Sequence, residues 1–211
     1  MNGLARNIIG TGEGGARVMR LSLGMKTRIL RWIRGTDVAR WRDQDNLFEA
    51  WNERTALIAD LIPAGASVIE LGAGRMVLKD LLAPGCRYTP SDIVKRSDET
   101  QLIDLNKRRL PDLPAHDYAV FSGVLEYLHD IPRVIRHVKR SADAIILSYA
   151  VTDYHPDRRR DQGWVNDLSA ADLEALMVAE GWCIYHTTRW RNQMILAARR
   201  MGSETSASRC C

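Results

Sequence analysis

From residue 67 onward, short apolar runs alternate with helical stretches, and this pattern restricts the fold of the 211-residue chain more than any other feature. The runs fall at 67–71, 87–91, 101–104, 118–122, 144–148, 182–188 and 193–198. Helical stretches lie between most of them, at 76–82, 128–140 and 170–180. Ser169 stands where an N-cap belongs, with Asp172 three residues on in the manner of a capping box. Such alternation predicts a largely parallel sheet covered on both faces. The last two runs differ, because only the short turn 189–192, Arg-Trp-Arg-Asn, joins them. No crossover helix fits there, so these two strands must pair antiparallel.

In an open α/β sheet, ligands bind beyond the carboxyl ends of the strands, near the point where strand order reverses. The polar residues at those ends are Glu70, Asp92, Asp104 and, after the fourth strand, Ser122 with Glu126. Any one acid after a strand can simply start a turn or cap a helix. Three successive strand-end carboxylates behind a first loop containing Gly72 and Gly74 point instead to one small-molecule site.

At this point the chain resembles the class I S-adenosylmethionine-dependent methyltransferases. The resemblance is carried by VIELGAGR (68–75), YTPSDI (88–93), IDLN (103–106) and DYAVFSGVLEYLHDI (117–131), with 163–182 and the closing strand pair. It implies an α/β, Rossmann-like, seven-stranded and mostly parallel sheet with helices on both faces. It also implies S-adenosylmethionine as cofactor. Glu70, Gly72 and Gly74 match the motif beside the methionine part of the cofactor, and Asp92 matches the acid on the ribose hydroxyls. Asp104 matches the acid near the adenine amino group, Leu105 the neighbour packing on the ring, and Ser122 with Gly123 the loop beside the methionine amino group. Met76 departs from the pattern, since many members carry a third glycine there.

The resemblance implies methyl transfer to a small-molecule, glycan or lipid-precursor acceptor, with an oxygen nucleophile expected. An oxygen acceptor needs its proton removed, and His129 and Glu126, in the segment EYLHD, are the candidate bases. The loop 149–164, with Tyr154, His155 and Trp164, followed by Asn166, is expected to act as an acceptor-side lid. No NPPY or DPPY motif for amino-group methylation is present. A nicotinamide-dependent oxidoreductase also places an acid after its second strand, but it needs G-x-G-x-x-G, and the third glycine is missing here. A non-catalytic, membrane-associated protein that keeps the fold is a further alternative.

The net charge of +4 is concentrated at one end. Residues 1–42 hold nine Lys/Arg and two acids, whereas the remainder is net negative. A basic face across the domain, as a nucleic-acid binder needs, is not evident, so no nucleic-acid partner is expected. Val18, Leu21, Met25, Ile29, Trp32 and Ile33 share one helical face, with arginines on the others. Residues 17–34 thus suit peripheral contact with an anionic membrane, or a stripe that packs on the domain and closes one end of it. Gly24 weakens this helix and Gly35 is placed to end it. The chain divides into a basic extension (1–42), a methyltransferase-like domain (43–200) and a polar tail (201–211). The four cysteines show no zinc spacing and no disulfide framework. With no run of membrane-span length and no signal-peptide pattern, a cytoplasmic location is expected, with or without peripheral membrane contact.

Overall fold

The computed structural model describes residues 21–202. The readings made of Arg17, Val18 and the tail with Cys210 and Cys211 lie outside the described residues. Seven strands form one sheet: β1 (Ser67–Leu71), β2 (Arg87–Asp92), β3 (Gln101–Leu102), β4 (His116–Ser122), β5 (Ala142–Tyr149), β6 (Trp182–Trp190) and β7 (Gln193–Arg200). Their order is β3-β2-β1-β4-β5-β7-β6. The pairs among β1 to β5 are parallel, and β7 lies antiparallel between β5 and β6. A two-residue turn at Arg191 and Asn192 closes the last hairpin, with Arg191 in the left-handed region (φ 50°).

Successive residues of a strand face opposite sides of a sheet, so a strand covered on both sides must be apolar throughout. Val68, Val120 and Ile146 pack in one cluster with Ile58 and Leu78. Their neighbours Ile69, Phe121 and Leu147 pack in the other with Val134, Ile135, Leu173 and Met177. The first layer is built by α3 (Asn52–Ala59) and α4 (Val77–Leu81), the second by α5 (Ile131–Val138) and α6 (Ala170–Ala179). The Ser169–Asp172 capping box is present at the start of α6. The expected helix at 128–140 is shorter: a 3₁₀ turn, Leu125–Tyr127, comes first, and Asp130 caps α5 by accepting from the Arg133 amide.

Ahead of the sheet stand α1 (Leu23–Ile33) and α2 (Val38–Arg42), followed by short 3₁₀ turns at Gln44–Asn46 and Glu49–Trp51. Helix α1 ends at Arg34 in the left-handed conformation, and the Gly35 amide donates to the Leu30 carbonyl. It packs on the 3₁₀ turn Arg159–Gln162 through its small residues. Gly24 is buried there, and a Cβ on it would lie 2.3 Å from Asp161 Oδ1. The expectation that the apolar stripe closes one end of the domain is therefore corrected: the domain takes the Gly24–Thr27 side, and the stripe faces outward.

Candidate active site

At the carboxyl ends of β1, β2 and β4 the chain turns sharply away from the sheet. Gly72 (φ 88°) donates its amide to the Ser91 carbonyl at 2.8 Å, and the next amide, Ala73, does so at 2.9 Å. Any side chain at 72 would meet Val124 Cγ2 at 2.5 Å, so only glycine passes. Gly74 donates to Asp92 Oδ2 at 2.8 Å, and Val94 donates to Asp92 Oδ1 at 2.9 Å. The Asp92 carboxylate thus holds two loops while each of its oxygens keeps further acceptor capacity. Met76, where a third glycine was the common pattern, still adopts glycine's left-handed backbone (φ 58°) at the start of α4.

Glu70 is 2% exposed and accepts from the Tyr88 hydroxyl at 2.5 Å. Burial pushes its pKa up to about 7, with the Tyr88 hydrogen bond and the nearby Arg54 charge opposing the rise. Arg54 comes from α3 and is 4% exposed. Its guanidinium lies between the rings of Trp51 and Trp190, at 5.6 and 5.8 Å from their centroids. It donates to Gln193 Oε1 at 3.1 Å and to the Ser122 carbonyl at 3.0 Å, while Nε has no partner. Burial lowers the pKa of this guanidinium, and the charges of Glu126 and Glu70 oppose the shift. Gly123 (φ 69°) leaves room for it, since a Cβ there would lie 2.5 Å from Arg54 Nη1.

These groups surround one cleft with about 950 Å³ of empty space, part of it open to solvent. Glu70, Gly72, Gly74 and Asp92 line it on one side, Ser122 and Gly123 on another. Ile93, Ile103 and Leu105 form an apolar slot, and Arg54 is at its floor. Thr36, Trp41, Leu47, Phe48 and Trp51 roof it from the N-terminal segment. In that roof Trp41 meets Tyr127 edge-on at 4.8 Å, and Phe48 meets Trp51 at 5.1 Å.

No family model matches the chain, and no curated protein matches its sequence. Solved structures do match its shape. One is the Burkholderia thailandensis 1,6-didemethyltoxoflavin-N1-methyltransferase, crystallised with 1,6-didemethyltoxoflavin and S-adenosylhomocysteine; it is 18% identical over 86% of this chain and 92% of that one, with a TM-score of 0.63. A second is an O-methyltransferase-like protein of Nostoc punctiforme, 12% identical over 84% and 67% of the two chains, with a TM-score of 0.62. The fold is that of the class I S-adenosylmethionine-dependent methyltransferases. The same methyltransferase-like architecture also matches the [4+2]-cyclase SpnF, 16% identical over 71% and 80% of the two chains, with a TM-score of 0.58. Shape therefore fixes the architecture, and the chemistry must be argued from the cleft. The nicotinamide alternative loses its ground, because a last strand inserted antiparallel between the fifth and sixth is foreign to the doubly wound order.

Within this methyltransferase fold, three residues read from the sequence lie elsewhere. Asp104 does not line the cleft. Its Oδ1 accepts from the Thr36 hydroxyl and the Asn106 amide, both at 3.0 Å, so it fastens the roof. His129, a candidate base, also lies outside: its ring Nε2 is 2.9 Å from the Gly35 carbonyl and must donate to it. Glu126 is 1% exposed behind the cleft and accepts from the Ala150 amide at 2.8 Å. Burial raises its pKa. The segment 149–164, expected as a lid, is tied to the domain by the buried Arg159. Arg159, 5% exposed, donates to the carbonyls of Ala150, His155 and Asn166, and Trp164 lies over it. Asn166 is occupied by the Leu125 and Leu128 carbonyls.

Two features of the site went unread in the sequence. Arg54 is one, although a lone arginine between Trp51, Thr55 and Ile58 on the inward face of a helix was a legible signal. The roof is the other. The sequence from Asp45 to Leu61 reads as one helix, with Leu47 and Trp51 among its apolar positions, but the structure breaks its first part into 3₁₀ turns and begins α3 only at Asn52.

Proposed function

We propose that this chain binds S-adenosylmethionine in the cleft and transfers its methyl group to a small-molecule acceptor. The observation that carries this reading is the joint placement of Glu70, Arg54 and Asp92 around one cavity with an apolar slot. Such a set fits a ligand with an amino-acid end, a vicinal diol and a flat base. Arg54, in the cleft lining, offers a buried positive charge for a carboxylate. Glu70 opposes it and suits an ammonium, whose charge would pull the Glu70 carboxyl back toward its ionised form. The two oxygens of Asp92 accept from neighbouring hydroxyls, and Ile93, Ile103 and Leu105 enclose the base. Asp104 is assigned to positioning the roof above Leu105. When bound, S-adenosylmethionine supplies an electrophilic methyl group on its sulfonium. What the protein adds is alignment and exclusion of water.

Trp41, Phe48, Trp51 and Tyr127 in the cleft wall suit a flat, largely apolar acceptor. Among the described residues no histidine or lysine lines the cleft. Burial pushes the Tyr127 hydroxyl up to about 12, which makes it a poor base at neutral pH. The acceptor is assigned as an oxygen acid that ionises readily, such as a phenol or an enol, which asks least of the groups in the cleft. Isothermal titration tests the first half, with micromolar affinity for S-adenosylmethionine expected. Absence of binding below millimolar overturns the proposal. A panel of phenolic and enolic compounds with a labelled methyl donor tests the second half. Turnover only of amines or of unactivated alcohols would refute the acceptor class.

A further inference from the structure

The outward face of α1 is apolar and the surfaces beside it are basic. Trp32 is 85% exposed, and Leu21, Met25, Ile29 and Ile33 lie between 43% and 56% exposed. Their spacing sets them along one side of the helix, opposite the Gly24–Thr27 side that packs on the domain. Residues 21–34 include Lys26, Arg28, Arg31 and Arg34 and no Asp or Glu. Large apolar side chains left in water, a tryptophan foremost, are a signature of an interaction surface.

We infer that α1 docks on an anionic lipid bilayer, lying in the interface with Trp32 and its neighbours inserted and with Lys26 and Arg28, which flank the stripe, on the headgroups. Two considerations select this occupant. Charge is the first: Lys26, Arg31 and Arg34 lie within 4.0 Å of Asp37, Asp167 and Asp130 but keep 41%, 53% and 63% of their side chains exposed, and with Arg28 they give residues 21–34 four positive charges and no negative one, which suits anionic headgroups. Area is the second. An eleven-residue helix is about 16 Å long and about 10 Å wide. Its face is several-fold smaller than the roughly 800 Å² per partner of a stable protein interface. An interfacial helix needs no such area, since it gains from both apolar insertion and headgroup attraction. Tryptophan is favoured at that depth. Among the described residues no helix is long and apolar enough to cross a membrane, so the contact is peripheral.

Co-sedimentation of the full chain with vesicles tests this without S-adenosylmethionine, so its outcome is separate from the methyl-transfer reading. Pelleting is expected with vesicles of equal phosphatidylcholine and phosphatidylglycerol, weakened by high salt, and absent with phosphatidylcholine alone. The triple variant Met25→Ser, Ile29→Ser, Trp32→Ser, with an unchanged circular dichroism spectrum, should lose at least about tenfold in partitioning. Three results would overturn the inference: a wild-type chain that stays in solution with anionic vesicles, equal pelleting of the triple variant, or light scattering that finds a wild-type dimer which the triple variant converts to monomer.

Discussion

The two walls of the cleft are built by different physics. The floor consists of the strand ends, their glycine turns and Arg54, and backbone geometry and buried charge hold it. The roof, 36–51, is the short helix α2, two 3₁₀ turns and aromatic rings held by a few side-chain bonds: Thr36 to Asp104, Asn106 to Thr36, and the Arg96 guanidinium to the Trp41 carbonyl. The difference teaches where each property resides. On the proposed reading the floor holds the cofactor, and its buried charges and glycine turns leave little room for change. On the same reading the roof, whose rings stand outside the sheet, selects the acceptor.

The sharpest way to break the contrast is at the floor. Arg54→Leu leaves Glu70 and Glu126 without their nearby cation and should destabilise the chain by about 3–5 kcal/mol in urea unfolding. It should also abolish S-adenosylmethionine binding. A variant of full stability and unchanged affinity would show that Arg54 does not serve the ligand.

The next effect is set by pH. Glu70 has a folded pKa raised to about 7 by burial, above its unfolded value. Between the two values the folded state binds more protons than the unfolded one, so stability falls as pH rises from about 4.5 to 7 and levels off above. The whole shift amounts to about 3 kcal/mol. Glu70→Gln should remove that part of the slope, measured as the difference between two urea-unfolding series. Parallel slopes would place the titration elsewhere, Glu126 being the other buried acid shifted upward.

A smaller loss is expected at the glycine turn. Gly72→Ala forces a side chain into the left-handed region and against Val124, with an expected loss of about 2 kcal/mol and weaker cofactor binding. Smallest is the roof. Thr36→Val cuts the link to Asp104 and Asn106 and should change stability by about 1 kcal/mol or less. Acceptor KM should rise several-fold while the affinity for S-adenosylmethionine holds. Equal changes in both would erase the distinction between the walls.

The alternation of runs, the antiparallel final pair and the Ser169–Asp172 cap were legible because each rests on local chemistry and a period of a few residues. The convergence of Glu70, Gly72, Gly74, Asp92, Leu105, Ser122 and Gly123 on one cleft was legible for the same reason, while their roles toward a cofactor belong to the proposal. Each is a strand end or its turn, and strand ends of a parallel sheet converge on one edge. His129, Glu126 and Asp104 follow strands too, but their side chains turn toward Gly35, Ala150 and Thr36, partners far away in sequence.

The linear order of residues thus determined the sheet, its one reversed strand and the chemistry of its carboxyl edge, since periodicity and turn residues act over neighbouring positions. Tertiary contact alone decided that Arg54 enters the floor, that 36–51 becomes a roof, and that α1 turns its small residues inward and its apolar stripe out. In each case the partner lies tens of residues away, and a helical stripe does not say which side the domain will take: the packing of Gly24 and Thr27 on the turn that carries Asp161 decided it.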